Sequence, residues 1–283
     1  MFYFLSGYFV KDEKLDTKGI KRILIPYCIW SVLWFAETTI TGSQPVTTWK
    51  VLNTIFFGGA FFPLYFLVVL VELKLISPLI IKNIEHLNKN GKYAWYKDWM
   101  LLITPITLSI LYAIQYITKS QPTIYAQIFP TWFIMYYAGC LVRKGTINTN
   151  TIQALLCVLI GIYMMNIEST YINNVLQVPF WAVTQLKFSS FFYSLALSVL
   201  FVSLHRKMDR GIIVRLGEYS FGIFLLHLPV KMIIEKLVNI CLPNTHPLWQ
   251  ISVVVLSLMM CWIIIEISNK ILPKWLNKSL GLK

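Results

Sequence analysis

The chain has 283 residues, of which 57% are hydrophobic and only 13% are charged, and its mean hydropathy is +0.64. A soluble domain of this length typically has about 45–50% apolar and about 25% charged residues, so an aqueous fold is excluded and the surplus apolar surface must face lipid. The net charge of +13 does not indicate a nucleic-acid partner, because the basic residues lie in short clusters between apolar runs.

Nine apolar segments follow one another along the chain. The first, residues 1–10, is too short to span a bilayer, because a crossing helix needs about 20 residues. Eight longer segments are predicted to cross: 23–41, 61–81, 99–117, 124–142, 151–167, 188–204, 217–240 and 248–269. We therefore predict an all-α, polytopic integral membrane helical bundle that forms a single membrane-embedded domain over residues 1–283.

The start of the chain reads as the second half of a helix. Residues 1–10 have neither the basic region nor the cleavage site of a signal peptide. A helix that is cut within hydrocarbon leaves backbone groups without partners. We therefore expect the natural reading frame to continue upstream of Met1.

Basic residues are concentrated in every second connection and in the tail after residue 269. The alternate loops, 42–60, 118–123, 168–187 and 241–247, contain only Lys50, Lys119 and Lys187. The positive-inside rule therefore places the basic connections and the C-terminus in the cytoplasm. The positions predicted inside are Lys14, Lys92, Arg143 and Arg210, and those predicted outside are Trp49, Tyr171 and Asn244.

The outer loop 168–187 also carries the aromatic residues Tyr171, Phe180 and Trp181. Such side chains favour the membrane–water interface, and stacking on a sugar is the alternative. We expect them at the membrane surface.

Ionisable side chains inside apolar segments are costly and are therefore candidates for function. Glu72 is two residues from Lys74, so the two side chains do not share a helix face and cannot simply neutralise one another. We interpret Glu72 as an inward-facing polar group.

His227 lies midway along the segment 217–240. A histidine there can act as a general base, a proton relay or a hydrogen-bond partner between helices. Pro229 frees a backbone carbonyl nearby, which the imidazole can satisfy. The spacing alone favours a structural role.

Lys18 and Arg22 are four residues apart, just before Pro26. Two cations on one face at a cytoplasmic membrane edge suit phosphate groups. A topology signal or contact with lipid head groups are the alternatives. The sequence contains no P-loop, GxGxxG, GxSxG or HExxH motif and no cluster of metal ligands, so no metal site is predicted.

Five short stretches occur in a characteristic order: Phe-Leu-Ser-Gly-Tyr-Phe at 4–9, Lys-Arg-Ile-Leu-Ile-Pro-Tyr-Cys-Ile-Trp-Ser at 21–31, the apolar run with Glu72 at 64–78, Tyr-Ala-Gly-Cys-Leu-Val-Arg-Lys at 137–144, and Ser-Phe-Gly-Ile-Phe-Leu-Leu-His within 216–230. In this order they resemble the acyltransferase-3 family of bacterial integral membrane acyltransferases, particularly its surface-polysaccharide branch. The resemblance implies that residues 1–10 end the second helix of the family. The first helix, with its basic residue, ten intervening residues and histidine, is lacking.

The resemblance implies a membrane O-acyltransferase that moves an acyl group, usually acetyl, from acyl-CoA in the cytoplasm to a hydroxyl of an extracytoplasmic glycan. It implies that Lys18 and Arg22 hold the phosphates of CoA and that His227 either positions the acyl group or supports a proton path. His227 and Glu72 are therefore the two catalytic candidates. No tightly bound cofactor is implied, since acyl-CoA is the donor substrate. The implied partners are membrane lipid and the glycan, and the implied location is the bacterial plasma membrane. Because the N-terminal histidine is lacking, a non-catalytic transporter or flippase-like partner in glycan export, or an inactive fragment, remain alternatives.

Overall fold

The computed structural model describes residues 1–10, 14–40, 47–59, 64–89, 94–120, 123–147, 150–205, 212–242, 246 and 248–282. These ranges contain α-helices and short 3-10 turns, and no strand, which confirms the all-α prediction. The helices are α1 (Phe2–Tyr8), α2 (Thr17–Ile40), α3 (Thr48–Phe57), α4 (Tyr65–Lys89), α5 (Ile103–Thr118), α6 (Phe129–Arg143), α7 (Thr151–Asn174), α8 (Pro179–Ala182), α9 (Phe188–His205), α10 (Ile212–Cys241), α11 (Trp249–Ile271) and α12 (Lys274–Ser279).

Each of the nine predicted apolar segments forms a helix, namely α1, α2, α4, α5, α6, α7, α9, α10 and α11. Within the described residues, four helical stretches have both the length and the apolar composition of a crossing helix: α2, α5 with the turn before it, α7 and α11. The other long helices are shorter or carry more polar residues. The predicted positions Lys92, Arg210 and Asn244 lie outside the described residues.

The chain divides into two compact units. The first contains residues 1–16, 56–58 and 65–208 and is built around α6, which packs against α1, α4 and α5, while α7 packs against α9. The second contains residues 17–55, 59–64 and 209–283 and is built around the pair α10 and α11.

Helices α1 and α6 approach each other through two glycines. A methyl group on Gly7 would lie 2.1 Å from the carbonyl oxygen of Tyr136, and one on Gly139 would lie 2.1 Å from that of Phe4. The thiol of Cys140 donates to the carbonyl of Gly7, 3.4 Å away. Both positions therefore require glycine, because any side chain would separate the two backbones.

The aromatic residues of the loop after α7 divide into two groups. Tyr171 and Phe180 are exposed, as predicted for a membrane surface. Trp181 is fully buried, with its ring centroid 4.4 Å from that of Tyr112 in an edge-on contact. The prediction of a surface position for Trp181 is therefore wrong, because the short helix α8 turns this side chain into the core.

Lys187 is also buried in this part of the first unit. Its ammonium donates to the hydroxyl of Ser169, 2.6 Å away, and to the carbonyl of Ala182. Next to it, the carboxylate of Glu168 accepts a hydrogen bond of 2.8 Å from the backbone N–H of Ser189, in the first turn of α9. These bonds tie the end of α7 to the start of α9, so we interpret both charges as structural.

Helix α3 was not predicted, because its residues lie in a segment that reads as a loop. Its residues up to Ile55 belong to the second unit and contact α2 there: the Lys50 ammonium donates to the Thr38 hydroxyl at 3.2 Å, and the Tyr27 hydroxyl lies 2.6 Å and 3.0 Å from the carbonyl oxygens of Thr54 and Ile55. The last carbonyls of a helix have no partner within it. Tyr27, near the middle of α2, therefore supplies a hydrogen-bond donor to the last carbonyl groups of α3.

Candidate functional site

The first two turns of α2 carry the predicted cation pair. Helix α2 begins at Thr17, earlier than the predicted apolar segment, so Lys18 and Arg22 lie on the helix, one turn apart and on the same face. Both side chains are exposed. Arg22 lines a pocket of about 570 Å³, and the described residues of its wall do not include Lys18.

The pocket lies within the second unit and brings together charges that are distant in the sequence. Its lining residues are Arg22, Ile23, Glu218, Phe221, Lys274, Lys278 and Gly281. Three cations therefore face one carboxylate. None of the three forms an ion pair with another described residue, so their positive charge is available to a ligand. We call this the cationic pocket.

The two lysines of the cationic pocket lie on α12, a short helix with a well-defined end. Gly281 adopts a φ of +74°, and its N–H bonds to the carbonyl of Lys278 at 3.2 Å. The N–H of Leu282 bonds to the carbonyl of Asn277 at 2.9 Å. This pair of bonds is the Schellman arrangement, which favours glycine at the left-handed position. The lysines therefore project from an ordered helix.

Three contacts hold α12 against the rest of the second unit. The side-chain amide of Asn277 is buried and donates to the Ser268 carbonyl at 2.9 Å, while the Ser268 hydroxyl donates to the amide oxygen of Asn277. The indole N–H of Trp30 donates to the carbonyl of Leu280 at 3.1 Å. Gly281 packs so closely on Phe221 that a methyl group would lie 2.7 Å from its ring. Helix α12 is thus a fixed wall of the cationic pocket.

His227 lies on α10 in the same unit and is half-buried. Its Nδ1 is 2.5 Å from the carbonyl oxygen of Phe224. A carbonyl can only accept, so Nδ1 carries the proton, and in the neutral ring Nε2 keeps its lone pair. This arrangement is the one a general base requires.

The partner of His227 differs from the sequence-based expectation. Pro229 lacks an N–H and leaves the carbonyl of Leu225 without its helical partner, but the imidazole bonds to the carbonyl of Phe224. That expectation is wrong, because the ring folds back by three residues along its own helix. Among the described residues, no hydrogen bond joins His227 to another helix.

Glu72 belongs to the first unit, whereas the other three candidates belong to the second. Its carboxylate accepts a hydrogen bond of 3.1 Å from the backbone N–H of Phe129, the first residue of α6. Lys74 pairs with Asp16 at 3.1 Å, which confirms that Glu72 and Lys74 do not neutralise one another. A carboxylate at a helix N-terminus is favourable, so this contact gives Glu72 a structural function.

Sequence reasoning missed the three other charged residues of the cationic pocket, Glu218, Lys274 and Lys278. The lysines were counted only as part of a basic tail. Their spacing of four residues, the same as that of Lys18 and Arg22, is the signal that marks one face of a helix.

The helices and the buried packing of both units define a polytopic α-helical membrane protein. The chain belongs to the acyltransferase-3 family, since the model of this family, described as an acyltransferase domain, matches residues 1–266. Comparisons with curated proteins and with solved structures gave no match. The match to the family ends before α12, so Lys274 and Lys278 lie beyond the part of the chain that the family model covers.

Proposed function

We propose that this chain is a membrane O-acyltransferase of the bacterial plasma membrane. It moves an acyl group, in the first instance acetyl, from acyl-CoA in the cytoplasm to a hydroxyl of an extracytoplasmic glycan such as a cell-surface polysaccharide. The observation that carries this proposal is the family match over residues 1–266, which covers all helices from α1 to α10 and most of α11.

The donor enters at the N-terminal end of α2. Lys18 and Arg22 present two cations on one face there, and the wall of the cationic pocket includes Arg22. The phosphates of CoA are multiply charged and favour a guanidinium, whose planar donors match phosphate oxygens. The positive-inside distribution of basic residues supports a cytoplasmic position for this end.

The acceptor hydroxyl attacks the thioester carbonyl, and Nε2 of His227 takes the proton that the hydroxyl loses. The bond between carbon and sulfur then breaks, and the CoA thiolate leaves and takes up a proton, so the products are the ester and free CoA. The observation that supports His227 as the base is the contact of Nδ1 with the Phe224 carbonyl, which accepts the Nδ1 proton and so leaves Nε2 with a free lone pair.

The proposal is tested with membranes that contain the full chain, incubated with radiolabelled acetyl-CoA and cell-wall polysaccharide. We expect label in the polysaccharide fraction. Replacing His227 with Asn keeps a donor near the position of Nδ1 but removes Nε2, so the transfer rate should fall by about 10²-fold or more. The matched control is His246→Asn, a change at an exposed histidine.

Two outcomes would count against the proposal. If wild-type membranes transfer no more label than membranes without the protein, the activity is not present. If His227→Asn transfers label at the rate of His246→Asn, then another group is the base.

A further inference from the structure

The geometry points to a phosphate-ester site that the C-terminal helix completes: Lys274 and Lys278 of α12, together with Arg22 of α2, bind the phosphate groups of a ligand in the cationic pocket. The family model does not extend to α12, so this function of the two lysines does not follow from family membership.

The two lysines have fixed positions. A basic tail that only marks topology needs no particular conformation. Here the tail forms a capped helix whose buried Asn277 bonds to Ser268 and whose end bonds to Trp30. Ordering these residues costs conformational entropy. The contacts that offset this cost place both lysines in the wall of the cationic pocket.

The charges of the cationic pocket are unbalanced. Two ammonium groups and one guanidinium repel one another, and Glu218 is the single carboxylate in the wall. None of the three cations has an ion-pair partner among the described residues. An anion with several oxygens relieves this repulsion, and a phosphate ester supplies two or three acceptors to such a cluster.

The wall of the cationic pocket also has an apolar part. Ile23 and Phe221 provide an apolar side next to the cations. A volume of about 570 Å³ is larger than a single inorganic phosphate needs and falls within the range of small-molecule sites. The ligand therefore carries an organic group on its phosphate, which packs on the apolar side.

Two sources can supply this chemistry: the phosphates of coenzyme A and the head group of an anionic phospholipid. The coenzyme A source rests on the proposed function, and the lipid source does not.

The experiment uses the purified full chain in nanodiscs. Coenzyme A is titrated into nanodiscs of phosphatidylcholine to measure Kd. In a second arm, the melting temperature is compared between nanodiscs of phosphatidylcholine alone and nanodiscs that also contain phosphatidylglycerol. The variant is Lys274→Gln with Lys278→Gln. The matched control is Lys21→Gln with Lys270→Gln, which removes the same charge from two exposed lysines outside the wall.

If coenzyme A is the ligand, we expect the variant to raise its Kd on the order of tenfold relative to the control at low salt. If the phospholipid is the ligand, we expect the variant to lose the rise in melting temperature that phosphatidylglycerol gives to the control. The difference should shrink as salt is added, because exposed charges are screened. Replacing both lysines with Arg should preserve binding, and Glu218→Gln should strengthen it, because it removes the one negative charge. A response in either arm identifies the source of the phosphate.

The proposal is overturned if the variant and the control have the same Kd for coenzyme A and the same change in melting temperature with phosphatidylglycerol. Its failure is separate from failure of the proposed function. If the protein has no acyl-transfer activity but its phosphate binding depends on Lys274 and Lys278, the site is supported and the proposed function is not. Transfer in a protein whose binding of coenzyme A and response to phosphatidylglycerol are both indifferent to the two lysines removes the site and leaves the enzyme.

Discussion

Trp30 on α2 and Leu280 beyond α12 are 250 positions apart, and the indole N–H of one donates to the carbonyl of the other at 3.1 Å. This bond links the helix that carries Arg22 to the helix that carries Lys274 and Lys278. It therefore fixes the distance between the two sides of the cationic pocket.

Replacing Trp30 with Phe removes this donor and keeps an aromatic ring. We expect a loss of about 0.5–1.5 kcal/mol in the free energy of unfolding, as is usual for one hydrogen bond. Limited proteolysis should also cut the C-terminal segment faster. The control is Trp275→Phe, since Trp275 is 69% exposed. Equal proteolysis rates in the two variants would show that the bond to Leu280 does not hold α12.

Replacing Gly281 with Ala tests the close packing of the chain after α12. The added methyl group meets both a φ of +74° and the side chains of Phe221 and Leu225 at 2.7 Å. Gly145 offers a matched control, because its φ is +71° and nothing lies within 4 Å of an added methyl group. Gly145→Ala should cost about 1 kcal/mol of backbone strain, and Gly281→Ala should cost more. Thermal unfolding of both variants measures the difference, and equal melting temperatures would contradict the packing.

Glu72 provides a test that separates structure from catalysis. Glu72→Ala leaves the N–H of Phe129 without a partner and should destabilise the protein by about 1–3 kcal/mol. Glu72→Gln keeps an accepting oxygen and should preserve both most of the stability and the transfer rate per folded molecule. Glu235→Gln, at a partly exposed pair with Lys231, controls for loss of a charge. A Glu72→Gln protein with normal stability and no transfer would make Glu72 catalytic.

The orientation in the membrane is tested by single cysteines in intact cells. We expect a cysteine at position 171 to react with a membrane-impermeant maleimide, and cysteines at 14 and 143 to react only after permeabilisation, because the basic connections are predicted inside. Tyr171, Lys14 and Arg143 are all exposed, so accessibility within the protein does not limit the reaction. Reaction of position 143 in intact cells would reverse the orientation.

The helices could be predicted because long apolar runs have few other solutions in lipid. Helix α3 was missed, since polar residues such as Lys50 and Asn53 interrupt its apolar pattern and its bonding partner Tyr27 lies on another helix. The wall of the cationic pocket was missed for a related reason. Lys274 follows Pro273 in a segment of six helical residues, which is too short to be recognised by periodicity.

The end of α3 has an electrical consequence for α2. A helix carries roughly half a negative charge at its C-terminal end. The C-terminal end of α3 lies beside Tyr27 of α2. Arg22 lies five residues before Tyr27 on α2 and shares the cationic pocket with Lys274. The second unit is therefore polarised along α2: the field attracts anions at the Arg22 end and repels them at the level of Tyr27. A multiply charged group that binds at Arg22 thus meets a barrier to moving further along α2, while an uncharged acyl group does not.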